Sequence, residues 1–120
     1  MSLGKLQGPY IEYAKLEGDS GNTAYTGTTV NLTCKTQGYN IQNTFLKGDV
    51  HIREDGKVRY EYFHMPDSKN NVKIVNLEIK NVTKEDAGNY NCVAVDGNFI
   101  QTSVSFHLKV GKQSLFLVKI

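Results

Sequence analysis

Two cysteines, Cys34 and Cys92, carry the clearest chemistry in this 120-residue chain. Each lies in an alternating stretch. Val30, Leu32 and Cys34 share one phase against Asn31 and Thr33, and Tyr90, Cys92 and Ala94 share one against Asn91 and Val93. A period of two is that of a strand with one buried face. Both thiols are therefore expected on apolar faces, which invites a covalent link across a core. Two buried free thiols are the other reading, because cysteine is often fully buried without a bridge. Little else in the chain offers reactive chemistry. His51, His64 and His107 lack metal-ligand spacing, and His107, between Phe106 and Leu108, is expected to face solvent. Glu54-Asp55-Gly56 reads as a turn rather than a pair of catalytic carboxylates. No glycine-rich loop follows a strand and opens a helix, as a phosphate cradle requires. Enzyme activity, a metal and a cofactor are all expected to be absent. Asn31-Leu32-Thr33 and Asn81-Val82-Thr83 fit the acceptor triplet for N-linked glycan. Asn31 is out of phase with the buried set and should face outward.

The elements that must position these residues are short strands. Residues 9–17 read as a strand after a proline start, and 19–28 as a turn with a short edge strand. Strands are expected at 30–35, 40–47, 50–53 and 57–64, with a loop at 65–71 held open by Pro66. Residues 72–80 alternate cleanly, with Val75, Leu77 and Ile79 against Asn76, Glu78 and Lys80. Residues 89–95 pair through Asp96-Gly97-Asn98 with 99–110 in a hairpin. Helical periodicity is nearly absent, and Lys84–Gly88 offers one turn at most. Eight or nine short strands with frequent turns point to a two-sheet sandwich.

Bulk composition agrees. One domain's worth of chain buries a useful core without a metal. Seven tyrosines and five phenylalanines exclude a disorder-like composition. The net charge of +2 gives neither a nucleic-acid stripe nor a membrane patch, and no run is long enough to span a bilayer. Residues 1–8 read as a linker or vector remnant, residues 9–110 as one domain, and residues 111–120 as a strand-prone tail or the start of an adjoining domain.

The stretches VNLTC at 30–34, LEIKNV at 77–82 and DAGNYNC at 86–92 resemble the immunoglobulin domain family, over roughly residues 9–110. The resemblance implies an all-β, immunoglobulin-like two-sheet Greek-key sandwich, with Cys34 and Cys92 bridged between strands B and F. It makes Tyr90 the tyrosine-corner residue, its hydroxyl returning to backbone near the E–F turn. Leu77 falls on strand E of the core. Asp86 should pair with a basic residue near the start of strand D, for which Lys57 and Arg59 are the candidates. The cysteine spacing of 58 residues is most similar to the intermediate set found in adhesion molecules, receptors and muscle proteins. One departure stands out. The chain has no tryptophan, and Phe45 occupies the place where the family packs one against the bridge.

The resemblance also implies that the face of strands G (99–110), F (89–95) and C (40–47) is a frequent adhesion and dimerisation surface. On that face Leu46, Val93, Val95 and Phe99 form the expected apolar patch, framed by Asn91, Gln101 and Ser103. The expected function is non-catalytic recognition of a protein ligand or a second copy, in an extracellular cell-surface or secreted protein with neighbouring domains. The alternative is a structural domain of an intracellular scaffold or muscle filament protein.

Overall fold

The computed structural model describes residues 8–19, 21–66 and 71–112. Among these described residues nine strands form two sheets: β1 (Tyr10–Leu16), β2 (Thr23–Tyr25), β3 (Val30–Gly38), β4 (Gln42–Lys47), β5 (Val50–His51), β6 (Val58–Pro66), β7 (Asn71–Ile79), β8 (Gly88–Val95) and β9 (Gln101–Gly111). A single 3-10 turn, Lys84–Asp86, links β7 to β8. One sheet has the order β1-β3-β7-β6 and the other β2-β9-β8-β4-β5. The chain crosses between sheets after β1. Asn22, at φ 57°, accepts the Leu16 N–H on its side chain, and the Asp19 carboxylate accepts the Thr23 N–H at 2.8 Å. Those two bonds satisfy backbone donors on either side of the crossover, and β2 then runs parallel to β9.

The alternating residues meet in one core. Leu32, Cys34, Phe45, Val75, Leu77, Cys92, Ala94 and Leu108 lose all contact with solvent. Register explains the convergence: Cys34 lies opposite Val75, Leu32 opposite Leu77, and Phe45 opposite Cys92. Cys34 and Cys92 are joined by a disulfide with Cα atoms 6.3 Å apart, within the ordinary span of such bridges.

Several boundaries differ from the sequence reading: β3 runs on to Gly38 and β5 stops at His51. Residues 65–66 and 71 are paired rather than looped, since β6 runs through Pro66 and Met65 lies opposite Val72. β6 is an edge strand. The Val58 and Tyr60 N–H groups point away from β7, to Asp55 and Glu54. In that phase the Pro66 nitrogen faces the open edge, where no ladder bond is lost. β4 begins at Gln42, because Asn40 turns the chain at φ 52°. Phe99 precedes β9 instead of opening it. The strand-prone tail beyond Lys112 lies outside the described residues, as do residues 1–7.

Candidate functional site

The turn before β8 ties the sheets together. The Tyr90 hydroxyl donates to the Asp86 carbonyl at 2.5 Å. Burial pushes that phenol far above its ordinary value, with the Asp86 carboxylate adding to the effect, so it stays a donor. The Asp86 carboxylate accepts the Thr83 N–H at 2.8 Å and pairs with Lys57 Nζ at 2.8 Å. Arg59, the other candidate, sits 4.0 Å from Glu78 instead. Tyr90→Phe should therefore lower stability by about 1–3 kcal/mol, the cost of stranding a partly buried carbonyl. Urea unfolding measures it, and an unchanged midpoint would show that the bond contributes nothing.

Asp55, His51 and His107 each hold a partner within the fold. Asp55 accepts the backbone N–H groups of Lys57 and Val58, both at 2.8 Å, which hold its carboxyl below the usual carboxylate value. His51 contacts the Thr44 hydroxyl at 2.9 Å, and His107 contacts the Asn89 amide at 2.9 Å. Among the described residues no group of three or more His, Cys, Asp or Glu side chains is placed to hold a metal. No described helix is long and apolar enough to cross a membrane.

The outward face of β9-β8-β4 gathers part of the residue set read from sequence. Val93 lies between Thr44 and Ser103, and Val95 between Gln42 and Gln101. Leu46 lies opposite Asn91, diagonal to Val93, within reach of a long side chain. All three apolar side chains are half-buried, whereas Gln101 and Ser103 are exposed. Asn91 is not a free rim group. Its amide N–H donates to the Gly48 carbonyl at 2.9 Å, and its oxygen accepts the Ser105 hydroxyl.

Phe99 belongs to the tip of the β8–β9 hairpin. It is 88% exposed and has φ 64°, a region that bulky residues rarely enter. Buried Asp96 imposes this shape. Its carboxylate accepts the N–H groups of Asn98 and Ile100, and its carbonyl accepts that of Phe99. Sequence reasoning missed Tyr39, 64% exposed on the β3–β4 loop. The Gly97 N–H donates to the Tyr39 carbonyl at 2.8 Å, and a Cβ on Gly97 would lie 2.5 Å from the Tyr39 ring. Only glycine lets the hairpin approach this aromatic so closely.

The acceptor asparagines differ in setting. Asn31 faces outward on β3, its side-chain oxygen accepting from Asn76 at 2.9 Å. Asn81 is exposed at φ 49° just after β7, and its carbonyl accepts from Lys57 at 3.3 Å.

Comparison with known proteins places this geometry. The family model of the immunoglobulin I-set domain matches residues 20–110. No curated protein sequence matches the chain. Among solved structures, the complex of Dpr2 Ig1-Ig2 with DIP-Theta Ig1-Ig3 is similar at 20% identity and a TM-score of 0.68, covering 89% of this chain and 33% of that one. The N-terminal Ig1-2 module of the Drosophila receptor protein tyrosine phosphatase DLAR is similar at 17% identity and 0.62, covering 91% and 52%. The I9-I11 tandem of titin is similar at 23% identity and 0.52, covering 75% and 29%. The chain thus spans one third to about one half of the first two. At these identities the likeness is one of fold. With a matching family model over most of its length, the chain belongs to the immunoglobulin superfamily as an I-set domain.

Proposed function

We propose that this domain is a non-catalytic recognition module of an extracellular, cell-surface or secreted, multidomain protein. It binds a protein ligand or a second copy of itself through the β9-β8-β4 face, with Phe99 as the anchor. The presentation of Phe99 carries this reading. A large apolar side chain is held in solvent by a hairpin whose strained backbone is secured by four hydrogen bonds around Asp96. Strain of this kind costs of order 1–3 kcal/mol and persists only where the surroundings over-determine it. An anchor that is already rigid loses little entropy on binding. Tyr39, against the same hairpin, supplies a second exposed ring. Half-buried Leu46, Val93 and Val95 give the apolar floor, and Gln101 and Ser103 the polar rim. The Cys34–Cys92 bridge supports an oxidising compartment, and the Dpr2–DIP-Theta likeness supports recognition by domains of this fold.

Phe99→Asp and Val95→Asp test the proposal separately, with thermal melts to establish folding. Self-association is read by sedimentation velocity, and binding by staining cells of the source organism with a labelled tetramer of the domain. Loss of a central aromatic anchor should cost at least about 2 kcal/mol, roughly a 30-fold loss of affinity. If the folded variants match the parent, or the parent neither self-associates nor stains cells, the domain is a spacer or a structural scaffold domain.

A further inference from the structure

The outward face of the β1-β3-β7-β6 sheet changes character along its length. One end is polar, with Arg59, Glu78 and Asn31 in one row and Glu61, Asn76 and Thr33 in the next. The other end is apolar on β6 and β7, with Phe63 opposite Ile74 and Met65 opposite Val72, and Lys35 and Gln37 complete those rows on β3. Tyr13 lies across Lys35 on the same face. Phe63 is 47% and Met65 45% exposed. Residues of these rows, Phe63, Met65 and Ile74 among them, line an open trough of about 860 Å³ that contains both Asn31 and Thr33, the two ends of one glycan-acceptor triplet.

We infer that Asn31 carries an N-linked glycan whose core lies along this trough, packed on Phe63 and Ile74; the Tyr13 ring is already covered by Lys15 Nζ at 4.7 Å. The inference rests on the extracellular reading above. The acceptor atom is placed for it. Asn31 Oδ1 accepts from Asn76, and the Thr33 hydroxyl donates to Asn76 at 3.1 Å, while Asn31 Nδ2 bonds to nothing among the described residues. Glycan on Nδ2 therefore breaks no bond of this network. In the transfer, Nδ2 displaces the pyrophosphate of a lipid-pyrophosphate-linked oligosaccharide. The N–C1 bond forms, the C1–O bond breaks with its electron pair leaving on the pyrophosphate, and the Nδ2 proton passes to base.

Reach and chemistry both suit the occupant. Asn31 lies opposite Glu78, four residues from Ile74, about 13 Å along the strand and about 10 Å across to β6. The successive sugars of a glycan core span such a distance. Pyranose rings present C–H faces that pack on aromatic and aliphatic side chains, and hydroxyls that donate to carboxylates. Glu17, Glu61 and Glu78 line the same trough. Asn81, exposed beyond the end of β7, is not among its lining residues. A glycan here leaves the β9-β8-β4 face as the open one.

The test is secretion of the full chain from eukaryotic cells with isotope-labelled glycan. Peptide mapping should find sugar on Asn31. Sugar protons should be shifted upfield by the ring current of Phe63, and the shift should vanish in Phe63→Thr, an outward substitution that leaves the core intact. Trimming to a single sugar should expose β6 and the facing part of β7 to faster hydrogen exchange. An unmodified Asn31 overturns the inference, as does an occupied Asn31 whose sugar resonances and exchange rates ignore Phe63→Thr and trimming. Neither outcome touches the Phe99 measurement, so the two readings fail separately.

Discussion

Reducing the Cys34–Cys92 bridge lowers the free energy of unfolding by about 4 kcal/mol, measured by urea titration of the same chain with and without reductant. The estimate follows from the 58-residue separation, since closing a loop of that length removes about 4 kcal/mol of chain entropy from the unfolded state. Comparing oxidised with reduced protein, rather than a cysteine variant, avoids adding a cavity to the result. The slope of the titration should steepen on reduction, because an unbridged unfolded chain exposes more surface. A midpoint shift worth less than about 1 kcal/mol would mean that the reduced unfolded state keeps the two strands together by other contacts.

Phe45→Ala should cost about 3–5 kcal/mol, the range for deleting a large buried aromatic. Phe45 has no exposed surface and lies opposite Cys92. Its ring meets Phe106 edge-on, centroids 6.4 Å apart and planes at 86°, a favourable aromatic geometry. Its carbonyl also accepts the Tyr60 hydroxyl at 3.2 Å, a bond that tethers β4 to β6 of the other sheet. Alanine keeps that backbone bond and removes the packing, so the measurement isolates the ring. Because Phe45 is the cross-strand neighbour of Cys92, its loss should not add simply to loss of the bridge. A cost below about 1 kcal/mol in denaturant unfolding would show that Phe45 does not fill the position of the missing tryptophan.

Much of the fold was legible because its signals are local. The phase of Val30, Leu32 and Cys34 and that of Tyr90, Cys92 and Ala94 are written in neighbouring residues, and each phase names its buried face. Asp86-Ala87-Gly88 marks the turn that Tyr90 closes. The candidate site was legible only in part. Val93, Val95 and Leu46 follow from alternation on β8 and β4. Asn91 read as a rim donor because its partners, Gly48 and Ser105, lie 43 and 14 residues away. The apolar end of the trough was also within reach of sequence. Along β6 the outward phase runs Arg59, Glu61, Phe63, Met65, passing from charged to apolar.

By itself, then, the sequence determined the all-β class, the core-facing cysteines and most strand positions, since each depends on a period of two and on turn chemistry, while the role of Phe45 followed from the family resemblance. Tertiary structure alone decided the features that depend on which segments become neighbours. Pro66 lies within a strand because β6 is an edge, and an edge position is defined by what fails to pair beside it. Lys57 rather than Arg59 meets Asp86 because the β6–β7 register sets which basic residue reaches the turn. Phe99 leaves its strand because the Asp96 carboxylate folds back on the hairpin. Tyr39 joins it because two loops distant in sequence emerge at one end of the sandwich. These are outcomes of long-range packing and hydrogen-bond closure, for which adjacent residues carry no period to read.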